Sequence, residues 1–228
     1  MIAVVVPVLW RPQNAQPLAD SLAAATTVPY RLVFVASHDD PDEIDACRAT
    51  GHTVLVAGWS AGRGDFAMKT QLAYDLTDEP FVFTGADDLE FQAGWAREAL
   101  DRMAETGAGV CGTNDLGNPM VKAGKHSTHS LVRRSYIEGQ GGTFDGIPGV
   151  LLCDLYDHQY VDTELVAVAI DRDEFVFARE SRVRHKHPLW DRSVPRDATY
   201  ERSLAGGLRD RRLFERRRAT WNRARVAA

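Results

Sequence analysis

Two adjacent carboxylates, Asp87 and Asp88, follow the run Phe81-Val82-Phe83-Thr84-Gly85-Ala86. Aromatic and β-branched residues fit a buried strand, so the pair falls where a strand leaves an apolar core. Like charges in such a place repel, and each needs a compensating partner. A divalent cation is the simplest partner, because magnesium and manganese take oxygen ligands. In open α/β sheets, ligands sit beyond the carboxyl ends of the strands. The other reading of the pair is a solvated turn that caps a helix starting near Trp95. Further groups with chemistry stand at comparable points: Arg11 after the first strand, Asp39 and Asp40 after the second, Gly62-Arg63-Gly64, Asp162-Thr163-Glu164, and His185-Lys186-His187-Pro188.

The elements that must position these groups are legible in the first half of the chain. Ile2 to Val8 is a continuous apolar run, as in a strand buried on both faces. Pro17–Ala25 reads as a helix, Tyr30–Ala36 as a strand, Asp42–Thr50 as a helix stopped by Gly51, and Thr53–Val56 as a strand. Gly58–Asp65 is a glycine-rich loop before a helix over Phe66–Leu76, which leads into the strand that ends at Asp87. Strand and helix alternate throughout, which predicts a parallel sheet with right-handed crossovers. Four strand ends then share one rim, where a basic residue, glycine amides and carboxylates suit a nucleoside diphosphate and its metal. Trp95–Thr106 reads as a helix and Gly109–Gly112 as a strand. His129–Tyr136 is a strand or the start of a helix, and Gln140–Gly149 is a loop. Tyr160–Val168 reads as a helix, and Phe175–Ala178 and Ser181–His185 as two short strands. The glycine-rich stretch from Asn118 to Gly149 is where an acceptor site could form.

The chain has 228 residues, 44% of them hydrophobic and 26% charged, with a formal net charge of -5. These values suit a globular domain, and no apolar run reaches the roughly 20 residues that cross a bilayer. The N-terminal segment reads as a first strand and not as a signal peptide. Cys47, Cys111 and Cys153 are widely spaced and odd in number, which suggests a reducing cytoplasm, not a disulfide framework. From Arg209 to Arg225 the chain is rich in arginine. That tail reads as a solvated helix held by its leucines; an anionic acceptor or membrane surface are sharper options.

Five pieces in order resemble the glycosyltransferases of GT-A fold, in the broad inverting family 2-like group, and most closely its small bacterial and bacteriophage-type members. They are Val4-Val5-Val6-Pro7, the Gly-Arg-Gly loop, Thr84-Gly85-Ala86-Asp87-Asp88-Leu89 with Gly94-Trp95, Val161-Asp162-Thr163-Glu164-Leu165, and His185-Lys186-His187-Pro188. The resemblance implies an α/β, Rossmann-like, mostly parallel sheet flanked by helices. It implies a domain over 1–195, with a nucleotide-sugar half over 1–115 and an acceptor half over 116–195, followed by the arginine-rich helical extension 196–228. It implies a nucleoside-diphosphate-sugar donor, UDP-sugar above others, a Mn2+ or Mg2+ cofactor, and transfer of a hexosyl or pentosyl group to an unidentified glycan, protein or modified nucleic acid. Homo-oligomer formation stays open.

Residue by residue, the resemblance places Asp87 and Asp88 at the metal, with His185 or His187 completing its shell; the alternative for the histidines is a strand end closed by Pro188. The family's Asp-x-Asp pattern departs here, since Gly85 stands at its first position. Asp162 matches the catalytic base, which would take a proton from the acceptor hydroxyl. An N-cap is the plainer role for it, and Glu164 is the alternative base or a salt-bridge partner. Pro7, Arg11, Asp39, Arg63 and Lys69 fall on the donor side, although Asp39 also suits a turn and Lys69 a helix surface. His129 and His158 are candidates for the acceptor side; Trp95 fits a core or rim position first, with stacking on an acceptor as its alternative. Two other functions share these features: a nucleotidyltransferase, which releases pyrophosphate, and a non-catalytic nucleotide- or sugar-binding module.

Overall fold

The computed structural model describes residues 1–227. The apolar runs form strands β1 (Ile2–Pro7), β2 (Tyr30–Ser37), β3 (Thr53–Ala57) and β4 (Phe81–Thr84). Helices α1 (Ala15–Ala25), α2 (Pro41–Ala49) and α3 (Asp65–Asp75) connect them. These four strands are parallel, in the order β3-β2-β1-β4. β1 alternates across the sheet: Ile2, Val4 and Val6 enter the core under α1, and Ala3 and Val5 enter the core under α3.

The second half is less regular. After β5 (Leu89–Phe91) and α4 (Trp95–Thr106) come β6 (Val110–Asn114), the single turn α5 (Pro119–Lys122), β7 (Ser130–Arg133) and α6 (Arg134–Gln140). β7 is antiparallel to both β4 and β6, so it joins the two halves of one sheet by local reversal. The stretch 129–136 thus holds both a strand and a helix. β8 (Phe175–His185) follows α7 (Val161–Asp171). It is one strand, not the two expected from sequence; Arg179 and Glu180 are exposed midway, where its pairing with β6 shifts register. Its far half pairs with β5, giving the eight-strand order β3-β2-β1-β4-β7-β6-β8-β5. Among the described residues, no helix is long and apolar enough to cross a membrane.

The C-terminal helices α8 (Ala198–Ala205) and α9 (Gly207–Ala227) lie against the fold, with much of α9 exposed and Leu213, Phe214 and Trp221 as its apolar anchors. Asp210 is buried and accepts the backbone N–H groups of Asp157, His158 and Gln159 at 2.8–3.0 Å. Phe214 packs on Tyr160, and Trp221 packs on Phe144 while donating to Asp171. Arg217 reaches through to the fully buried Glu164 of α7, with contacts of 2.9 and 2.8 Å. Tyr156 Oη and the Phe144 amide also donate to Glu164.

Removing one member of a buried ion pair strands the other, at a cost of about 3–5 kcal/mol. Arg217→Ala is expected to lose about that much stability in urea-unfolding measurements. Arg217→Ala combined with Glu164→Gln should lose clearly less, because no unpaired charge stays buried.

Candidate active site

The ends of β1 and β4 bring Arg11, Asp87 and Asp88 together, all three nearly inaccessible. Arg11 Nη1 lies 3.1 Å from Asp87 Oδ1 and 3.4 Å from Asp88 Oδ2. Its Nε and Nη2 grip Asp197 at 2.8 and 2.9 Å. The guanidinium rests 3.8 Å above the Tyr200 ring, and the Tyr200 hydroxyl sits 2.8 Å from Asp88 Oδ2. Backbone strain helps to aim Arg11, since Trp10 before it holds φ at +57°. The left-handed region costs a non-glycine residue of the order of 1–2 kcal/mol. Two carboxylates share one guanidinium, and their titration divides accordingly. Burial and the charge of Asp88 push Asp87 up. Burial would raise Asp88 too, but the charges of His185 and Arg11 and the hydrogen bond from Tyr200 hold it below the usual carboxylate range.

A second wall of the same cavity, about 400 Å³ in volume, comes from the loop before β7, the start of α7 and the end of β8. Asp162 stands in the first turn of α7, and His126 Nε2 lies 3.2 Å from its Oδ2. Burial opposes both charges, yet the pair prevails: His126 shifts upward and Asp162 downward, aided by the Thr163 amide on Oδ1. Tyr160, which opens α7, is another non-glycine residue in the left-handed region, at φ +69°. Between the walls lie histidines 129, 185 and 187, with ring centroids 4.8 and 5.0 Å apart in succession. His185 Nε2 is 3.3 Å from Asp88 Oδ1, an ion-pair distance without hydrogen-bond alignment. Burial works against charge on His185, but Asp88 outweighs it and raises its pKa. Burial and the charge of His185 depress the others, His129 to about 3 and His187 to about 4. Asp88 Oδ1, His129 Nε2 and His185 Nδ1 are buried with no hydrogen-bond partner. Among the described residues no three His, Cys, Asp or Glu side chains are already gathered as a metal cage.

No family model matches the chain, and no curated protein sequence matches it. Solved structures do. The mannosyltransferase PcManGT from Pyrobaculum calidifontis, in complex with GDP-Man and Mn2+, superposes with a TM-score of 0.59 at 15% identity, over 80% of this chain and 55% of that one. The chain therefore spans about half the length of that enzyme. Glucosyl-3-phosphoglycerate synthase from Mycobacterium tuberculosis, in complex with Mn2+, UDP and glucosyl-3-phosphoglycerate, gives 0.59 at 16% identity, over 92% of this chain and 79% of that one. S. aureus TarS gives 0.57 at 13% identity, over 78% of this chain and 35% of that one. The fold is GT-A.

Within the GT-A frame, the cavity gathers Pro7, Arg11, Asp87, Asp88, His129, His158, Asp162, His185 and His187 from the residues singled out in the sequence. Five others stand elsewhere. Trp95 is fully buried among Phe83 and Phe91, with Nε1 donating to Thr26, so it offers no platform to a sugar. Glu164 points into the core, because two positions along a helix turn a side chain about 200° from Asp162. Lys69 is neither a surface residue nor a lining one; its Nζ is buried, 2.9 Å from the Val8 carbonyl and 2.9 Å from Asp65. Arg63 turns outward onto the Leu155 carbonyl and Asp157. Asp39 is exposed on the turn after β2, outside the cavity, where a hydrogen bond from Ser60 lowers its pKa. The glycine loop has a packing reason as well: Gly64 holds φ at +74°, and a Cβ there would meet the Asp154 carbonyl at 2.3 Å. Crowding likewise explains the departure at Gly85, where a Cβ would lie 2.9 Å from the Val5 carbonyl.

Sequence reasoning missed Asp197, Tyr200, Arg202 and the role of His126. The first three lie in the segment taken for an appendage, and His126 meets Asp162 across 36 residues. The His126–Asp162 pair has a definite pH signature. Its stabilisation on the histidine side is complete below the ordinary imidazole pKa and fades as pH rises through the raised value. On the aspartate side it is present above the ordinary carboxylate pKa and fades as pH falls through the lowered value. Asp162 keeps 30% of its side chain exposed, so screening trims the effect. In an NMR titration, His126 should titrate above the ordinary imidazole value, and Asp162→Asn should bring it below that value, because burial then outweighs the remaining charge of Asp115.

Proposed function

We propose that this protein is a metal-dependent inverting glycosyltransferase that moves a sugar from a nucleoside-diphosphate donor to an acceptor hydroxyl. The observation that carries this reading is that Asp162, fixed by His126, and the pair Asp87–Asp88 open onto one cavity. Proteins of the same fold support the donor class, having been solved with GDP-Man and Mn2+, with UDP-Glc and Mn2+, and with UDP and Mg2+. UDP-sugars are the favoured donors, and the acceptor is a glycan, a protein or a modified nucleic acid. The free, buried cysteines accord with a reducing, cytoplasmic setting.

The donor set of the cavity fits Mn2+ or Mg2+. Asp87 and Asp88 supply oxygens, and Asp88 Oδ1 and His185 Nδ1 are buried without partners. The lack of a ready cage of three side chains suits a cation that one or two carboxylates hold together with substrate phosphates. His185 is a better ligand than His187, because Nδ1 of His187 already accepts from the Leu189 amide and leaves the proton on Nε2. When bound, the cation neutralises charge on the departing diphosphate.

The chain's own residues perform the rest. Arg11 and Arg202 give the donor side of the cavity positive charge. Asp162, kept ionised by His126, takes the proton of the acceptor hydroxyl as its oxygen attacks the anomeric carbon. A single base opposite the leaving group makes one displacement, with inversion. His129 and His158 stay uncharged through burial and line the acceptor region without competing for that proton. A binding module without turnover is the second reading, favoured by the missing carboxylate at Gly85.

Turnover decides between the two. With a UDP-sugar and Mn2+, wild type should release UDP and form a product of opposite anomeric configuration, read by NMR. Asp162→Asn should lower kcat by about 10²–10⁴-fold while UDP binding survives. A turnover rate untouched by Asp162→Asn would exclude it as the base.

A further inference from the structure

Arg11 divides its contacts unevenly. Nε and Nη2 form a forked pair with Asp197, at 2.8 and 2.9 Å. Nη1 alone faces the two carboxylates, at the longer distances of 3.1 and 3.4 Å. Tyr200 supports the guanidinium plane from below, and the Arg11 amide is tied to Glu43 Oε2 at 2.6 Å. Because the guanidinium is planar, the fork to Asp197 also fixes Nη1 beside the two carboxylates. That fixed positive charge repels any cation that approaches the free edges of the carboxylates. A diphosphate reverses the balance. It offers Nη1 an anionic oxygen in exchange for its longer carboxylate contacts, and it brings negative charge that shields Arg11 from the cation.

We infer that Arg11 is a resident counter-ion that holds a divalent cation off the Asp87–Asp88 pair until a nucleoside diphosphate arrives, so that cation and nucleotide bind together. This rests on reading the cavity as a metal and diphosphate site. Arg11 then acts as a positioning residue: it stabilises the empty carboxylate pair, and it couples the two ligands by an amount that is the same seen from either one. Asp197 and Tyr200 make the C-terminal segment part of the device, since they fix where the guanidinium can go.

The test is calorimetric titration and thermal unfolding of the full chain with MnCl2, with UDP, and with both, for wild type, Arg11→Gln and Arg11→Lys. Wild type should bind Mn2+ at least about tenfold more tightly when UDP is present. Arg11→Gln should bind Mn2+ without UDP, and the UDP-dependent gain should largely vanish; Arg11→Lys, which keeps the charge, should stay close to wild type in weak binding of Mn2+ alone. If Arg11→Gln folds poorly without metal, Mn2+ alone should raise its melting temperature, since the ion replaces the lost charge. The inference is overturned if wild type binds Mn2+ equally well with and without UDP, or if Arg11→Gln matches wild type in each titration. An absence of any response to Mn2+ and UDP in all three proteins would overturn the glycosyltransferase reading itself.

Discussion

Two carboxylates at the end of β4 have one guanidinium between them, and much of the molecule is arranged around that shortage. Gly85 brings β4 against β1 so tightly that no side chain fits there, which delivers Asp87 and Asp88 to the edge of the core. Arg11 must meet them from the end of β1. It is held there by a strained Trp10, by Glu43 on its amide, and by Asp197 and Tyr200 from the far end of the chain. Burial strengthens every charge interaction in this group and makes each unpaired atom costly. The arrangement is stable with Arg11 in place, yet it leaves Asp88 Oδ1 and His185 Nδ1 without partners.

The opposite wall depends on a different device. α9 reaches across to Glu164 through Arg217 and ties down the 157–159 turn through Asp210. Both contacts fix the rotation of α7, and that rotation decides that Asp162 faces the cavity while Glu164 faces the core. The arginine-rich composition of α9 is thus partly a matter of architecture. Arg209 pairs with Asp157, Arg217 with Glu164 and Asp145, and Arg218 and Arg225 with Asp171, all on the elements beneath.

The first half of the fold could be read from sequence because its signals are local. Val4-Val5-Val6 and Leu32–Ala36 are continuous apolar runs, and Gly51 and Pro41 mark helix boundaries. β7 could not be placed, because the direction of pairing with β4 and β6 is set by contacts absent from its own residues. β8 read as two strands because Arg179 and Glu180 interrupt its apolar pattern, although the backbone runs on. In the site, Asp87, Asp162 and His185 stood out through their place at strand or helix ends. Tyr200 meets Asp88 across 112 residues, and Asp197 meets Arg11 across 186, so neither carried a signal of its own. Trp95 is in the core, as its aromatic bulk allowed, whereas Lys69 sits on neither the diphosphate nor the surface, because its ammonium is buried against the Val8 carbonyl and Asp65.

The central claim is that Asp87 and Asp162, from opposite walls, act on one bound donor. The most direct measurement is the anomalous scattering of manganese in crystals grown with Mn2+ and a non-hydrolysable UDP-sugar. The account predicts a single peak in contact with a carboxylate oxygen of Asp87 or Asp88 and with the diphosphate, and an anomeric carbon facing Asp162 across the cavity. A manganese peak away from both carboxylates, or a donor whose sugar lies outside the wall that carries Asp162, would contradict it.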